Sequence, residues 1–129
     1  MSLRTHNPTT QAAPLGAYSN GVSAPGSGRW LHVAGQVGVR ADGSVAPDVA
    51  GQADAAWQNL LGVLADAGMG VGDLVKVTNY LLSAGDLADY GAVRSRHLGT
   101  ARPASTLVIV QALARPEWRV EVEAVAWHA

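Results

Sequence analysis

The chain has 129 residues, 48% of them hydrophobic, with nine basic and ten acidic side chains giving a formal net charge of −1. That length fits a single domain (1–129) with one modest core, and the apolar share excludes a chain that stays disordered. No basic run exists to release counterions from a nucleic-acid backbone, and the absence of cysteine removes disulfides, thiolate nucleophiles and thiolate metal sites.

Residues 1–14 are polar and without periodicity and read as a lead-in segment. They hold no apolar run able to act as a signal peptide, and no stretch of the chain is long enough to span a bilayer, so a soluble cytoplasmic protein with no membrane partner is expected. Residues 18–24 and 29–36 can each extend, and Pro25-Gly26-Ser27-Gly28 joins them with strong turn chemistry, which predicts a β-hairpin. Residues 37–49 form a loop punctuated by Asp42-Gly43 and Pro47. A helix over 49–67 follows, because Ala53, Ala56, Trp57, Leu60, Leu61, Leu64 and Ala67 make one apolar stripe at three- and four-residue spacing. Asp48 suits its N-cap and Gly68 the left-handed position beyond its end. Residues 74–82 read as a strand with Val75, Val77, Asn79 and Leu81 on one face and Lys76, Thr78, Tyr80 and Leu82 on the other. Asp86 is placed to cap a second helix to about Leu98, and residues 105–112 and 119–127 form the last two strands.

The predicted order is β-β-α-β-α-β-β, an α+β fold with a mixed sheet and two helices on one face. Helix-linked strand steps should be parallel and the hairpins antiparallel. Two helices cover only one sheet face, yet Thr106-Leu-Val-Ile-Val110 is apolar on both sides. An open apolar face is an aggregation hazard, so other subunits are expected to cover it.

On the last strand Glu121 and Glu123 share a face with Arg119 and Val125, while Val120, Val122, Ala124 and Ala126 line the other. Either the two carboxylates are a paired and a solvated surface charge, or one of them polarises water or substrate, which requires partial burial. The four histidines have no partners at metal-ligand spacing, so no metal is assigned, and no glycine pattern implies a nucleotide cofactor. Trp57 belongs in the core, whereas Trp118 and Trp127 suit an interface.

Five segments in order carry a resemblance. Gly16-Ala17-Tyr18-Ser19, Ala34-Gly35-Gln36, Lys76 in the run 73–78, Pro103-Ala104 and the closing strand Val120-Glu121-Val122-Glu123-Ala124-Val125-Ala126 together resemble the Rid/YjgF family, also labelled endoribonuclease L-PSP. The resemblance implies the chorismate-mutase-like fold in a homotrimer, with pockets for a small organic metabolite between subunits. It implies Glu121 as the residue that orients a hydrolytic water, Tyr18 as an aromatic wall, and Gly35 as a backbone contact to substrate. Where imine-hydrolysing members carry an arginine after Pro-Ala, this chain has Ser105, which can donate one neutral hydrogen bond in place of a bidentate charged fork. Arg94, on the second helix where active members often have Asn, or Arg102, is the candidate to replace that grip. Three functions stay open: hydrolysis of a carbon–nitrogen double bond, with weak activity on 2-imino acids; a non-catalytic binding or sensing module; and the endoribonuclease of the family label, for which the charge gives no support.

Overall fold

The computed structural model describes residues 2–129. Its elements are β1 (Arg4–His6), β2 (Gly21–Ser23), β3 (Arg29–Val37), α1 (Val49–Asp66), β4 (Leu74–Leu81), α2 (Leu87–Leu98), β5 (Ala104–Ile109) and β6 (Val120–His128). Single 3₁₀ turns at Val71–Asp73 and Ala84–Asp86 lead into β4 and α2. The main sheet has the order β3-β6-β4-β5. β6 is antiparallel to both of its neighbours, while β4 and β5 run parallel. This is the expected α+β architecture, with two helices against one face of a mixed sheet.

α1 forms where the apolar stripe predicts. Asp48 accepts the Gly51 N–H at 2.8 Å, and Gly68 takes a φ of 72° just beyond the helix, a conformation that disfavours any side chain. Its stripe packs Ala53, Ala56, Trp57, Leu60 and Leu64 against Val77, Leu81, Val120, Val122 and Ala126 of the sheet. Each fully buried Leu or Val contributes about 1.5–3 kcal/mol through removal from water, and this face dominates the stability. Gln52 locks the same helix to the loop before β6. Its amide donates to Ala46 O and Glu117 O, both at 3.0 Å, and its carbonyl accepts the Arg119 N–H at 2.8 Å.

The strand pairings depart from the expectation in two places. Residues 18–24 do not form a hairpin with 29–36: β2 pairs with β1, inside the segment read as a lead-in, and the order gains a first strand. The chain just before β2 leans on the far edge of the sheet, where Ser19 bridges to Ala104 and its N–H donates to Pro103 O at 2.9 Å. The Pro25–Gly28 turn therefore redirects the chain instead of closing a two-stranded ladder. β3 finds its partner in β6, whose longer register from Arg29 to Val37 offers far more backbone bonds than three-residue β2. Likewise β5 and β6 are not a hairpin, because β6 inserts between β3 and β4.

Two side chains also depart from their predicted places. Asp86 occupies the N-cap position of α2 but makes no side-chain cap bond; its carboxylate faces Arg119 at 3.2 Å instead. Trp127 is no interface residue: it is only 2% exposed within one chain, and Gly28 leaves room for its ring, since a Cβ there would lie 2.5 Å from the indole. Trp118 is half-buried beneath the Arg115 guanidinium at 5.7 Å.

Candidate functional site

β6 alternates as its pattern requires. Val120, Val122, Ala124 and Ala126 are buried under the helices, while Glu121, Glu123 and Val125 are half-buried on the opposite, helix-free face. Register places Tyr80 of β4 across from Glu121 and Thr78 across from Glu123. The Tyr80 hydroxyl donates to the Glu123 carboxylate. That bond first, then burial and the charges of Glu123 and Glu121, raises the phenol above its ordinary value.

Gly35 meets Glu121 from the other side. The β3–β6 ladder shifts register between Val33 and Gln36, so Ala34 and Gly35 have no partner on β6 and their backbone stands off the regular sheet. The Glu121 carboxylate lies directly over Gly35, where a Cβ would sit 1.9 Å from Oε2. Only glycine leaves this space, so the carboxylate is held flat against the β3 backbone. Together Gly35, Tyr80, Glu121 and Glu123 line one side of an open cleft of about 380 Å³, with Val110 and Leu113 among its apolar wall. The arrangement suits an apolar ligand with one polar, water-accessible reacting group.

Tyr18, Arg94 and Ser105 lie elsewhere. Ser105 pairs with Val77 and therefore points to the helix side of the sheet, away from Glu121. Its Oγ accepts from Asn79 Nδ2 at 3.0 Å, and Asn79 Oδ1 accepts from the Tyr90 hydroxyl. Trp57 Nε1 donates to the same Tyr90 oxygen at 3.2 Å, which closes a buried polar chain from α1 through α2 to β5. Burial, the main cause, pushes the Tyr90 phenol up to about 12. The Arg94 guanidinium rests over the Tyr90 ring, 5.8 Å from its centroid. A Cβ on Gly16 would touch both Arg94 Nη2 and the Tyr18 ring at 3.9 Å, so these two side chains share one hollow. The Tyr18 hydroxyl accepts the Leu15 N–H at 3.1 Å. Arg102 is elsewhere engaged, donating to Gly99 O at 2.8 Å and Ala101 O at 2.7 Å past the end of α2.

Of the residues singled out in the sequence, one chain thus brings together Gly35 and Glu121 on one sheet face and sets Tyr18 beside Arg94, while Ser105 points to the helix side and Arg102 is engaged past the end of α2. Tyr80, Asn79 and Tyr90 adjoin these residues and were not singled out. Asn79 left the clearest trace, an amide on the otherwise apolar face of a strand. Among the described residues no three of His, Asp and Glu cluster to hold a metal ion, and no helix is long and apolar enough to cross a membrane.

Comparison with known proteins gives this geometry its context. The family described as Endoribonuclease L-PSP matches residues 9–128. The chain belongs to that family. The L-PSP match agrees with the Rid/YjgF resemblance of the sequence. Relatives of the chain include the RutC family protein PH0854 of Pyrococcus horikoshii, 31% identical over 116 residues that cover 88% of this chain and 89% of that protein. The 2-iminobutanoate/2-iminopropanoate deaminase of Salmonella typhimurium is 34% identical over 124 residues, covering 91% and 93%. Among solved structures, the Rid-family protein YyfB of Yersinia pestis superposes with a TM-score of 0.89 at 34% identity, over 99% of this chain and all of that one.

Proposed function

We propose that this L-PSP family member hydrolyses the carbon–nitrogen double bond of a small organic imine or enamine, in sites completed between copies of the chain as a homotrimer. The observation that carries the proposal is the Glu121 carboxylate, pressed against Gly35 at a cleft of about 380 Å³. The Salmonella relative named as an iminobutanoate and iminopropanoate deaminase supports the reaction class.

The chemistry follows from the geometry. A water held by Glu121 attacks the imine carbon while the carboxylate takes its proton. That proton is returned to nitrogen to give a carbinolamine; Glu121 then takes the carbinolamine hydroxyl proton and passes it to the amine, so the C–N bond breaks, ammonia leaves and a carbonyl remains. Tyr80 occupies Glu123 with a hydrogen bond, so Glu121 remains the carboxylate available to water. Because Ser105 and Glu121 face opposite sides of one sheet, a site using both draws them from different copies. Tyr18 then supplies an aromatic wall from the Ser105 side.

A non-catalytic binding module is the second reading, favoured by Ser105 where the resemblance implies an arginine. To separate the two, 2-iminopropanoate and an uncharged imine are generated in situ and ammonia release is followed with native protein and Glu121→Gln. Release accelerated by native protein and lost in Glu121→Gln supports hydrolysis. No acceleration of either imine, with saturable binding of the products intact, overturns it in favour of binding. Light scattering that finds only monomer removes the shared site.

A further inference from the structure

We infer that Glu123 is the counter-ion for a protonated nitrogen on the ligand, so that the cleft selects a small aliphatic iminium or ammonium cation. This deepens the reading of the Glu121 site and rests on it.

The inference starts from how the carboxylates of this chain are spent. Asp54, Asp73 and Asp86 each face a basic side chain within 3.2 Å. Asp48 and Asp42 accept the backbone N–H groups of Gly51 and Ser44. Glu121 and Glu123 are half-buried, yet among the described residues neither forms an ion pair. No lysine, arginine or histidine is among the described residues that line their cleft. Lys76, on the same face of β4 as Tyr80, is spent on the Thr106 hydroxyl. Two carboxylates partly withdrawn from water with no cation beside them are a costly arrangement that a bound cation relieves.

The two groups are held in different ways. Glu121 lies over Gly35, and Tyr80 is its cross-strand neighbour on β4. The Tyr80 hydroxyl passes Glu121 by and donates to Oε1 of Glu123. That bond orients Glu123 without neutralising it, because the donor carries no charge, and it leaves Oε2 free of any partner among the described residues. An ionised carboxylate only accepts, so its free oxygen suits an N–H donor. A positively charged donor gives the stronger, charge-assisted bond. Val110 and Leu113 offer an apolar wall of the same cleft to the hydrocarbon part of such a ligand.

A nitrogen protonated from the start shifts the proton balance of the hydrolysis. Water adds to the iminium carbon, Glu121 takes one water proton, and the neutral carbinolamine forms with no proton first passing to nitrogen. Glu121 then gives that proton to the amine and takes the hydroxyl proton as the C–N bond breaks. The carbonyl remains, and the released ammonia carries the last proton away as ammonium.

The test measures binding without turnover. Nuclear magnetic resonance titrations at low ionic strength compare n-pentylammonium, 1-pentanol and pentanoate. Native protein is expected to bind the ammonium about tenfold or more tighter than the alcohol, with pentanoate weakest. Glu123→Gln, which keeps an acceptor for Tyr80, should remove most of the preference, and Glu123→Asp should keep part of it. Asp89→Asn, which removes an exposed charge on α2, should leave it unchanged. A thermal melt of each variant reports folding. Equal affinities for ammonium and alcohol in native protein, as follow if a basic side chain of a neighbouring copy already neutralises the pair, overturn the assignment. So does an undiminished preference in Glu123→Gln. The two readings fail separately. If Glu121→Gln keeps full ammonia release while Glu123→Gln loses the ammonium preference, hydrolysis through Glu121 falls and the counter-ion stands. If native protein hydrolyses imines through Glu121 with no preference for the ammonium, the counter-ion alone falls.

Discussion

Gly35→Ala isolates the positioning of Glu121 from the stability of the fold. The new methyl would sit 1.9 Å from Glu121 Oε2 and 2.8 Å from Cδ. Comfortable contact begins near 3.4 Å, so the oxygen must retreat by about 1.5 Å. What yields is the far end of a flexible side chain, not backbone. Twisting it off its rotamer costs about 0.5–1.5 kcal/mol, partly offset by the lower conformational freedom of alanine in the unfolded chain. At roughly 4 °C per kcal/mol, the melting temperature should fall by no more than about 6 °C. A carboxylate displaced by over an ångström, by contrast, costs on the order of 10²-fold in rate. Gly38→Ala is the control: its methyl would meet Gln52 O at 2.6 Å and Gln52 Cα at 2.7 Å, the backbone of α1, which cannot swing aside. That variant should lose about 1–3 kcal/mol or more from overpacking. The assay pairs ammonia release with thermal melts, and a crystal structure of Gly35→Ala locates the carboxylate. Native-like turnover in Gly35→Ala, or a melting loss as large as that of Gly38→Ala, would refute the argument.

Three further outcomes follow from buried or charged groups. Tyr90→Phe strips the partner from both Trp57 Nε1 and Asn79 Oδ1 and should cost about 2–4 kcal/mol in urea unfolding. In native protein the Tyr90 phenol titrates near 12 when folded and near 10 when unfolded, so its contribution is full below pH 10 and lost as pH rises toward 12; the alkaline limb of stability should be shallower in Tyr90→Phe. Gln52→Ala abandons three backbone partners in the α1–β6 contact, and a loss of about 3 kcal/mol or more is expected in the same measurement. Asp54, held below its ordinary value first by the His97 hydrogen bond and also by Arg96, contributes stability above its unfolded pKa that is lost as pH falls; Asp54→Asn should flatten the acid limb, by under about 1 kcal/mol because the pair is partly solvated.

The helices and β6 were legible because their information is local. A 3.6-residue stripe with Asp48 before it and Gly68 after it specifies α1 without reference to the rest of the chain. Alternation along 120–126 told which side of β6 was wet. Strand partners were not legible, because pairing depends on competition between distant segments. Pro25–Gly28 reads as a hairpin turn on its own terms, yet β2 is too short to hold β3 against β6. Ser105 carried the same difficulty: its importance was visible, but the face it points to depends on register with Val77. Glu121 and Gly35 were each identifiable singly. That one lies upon the other follows only from the register break between Val33 and Gln36, which no local pattern announces.

The strand that joins β3 to the β4–β5 pair follows all of them in sequence. Until a ribosome has released residues through about 128, β3 and the β4–β5 pair have no common neighbour, and the apolar faces of α1 and α2 lack Val120, Val122 and Ala126 to close upon. Completion of the sheet therefore waits for residues 120–128 and rests on contacts far apart in sequence.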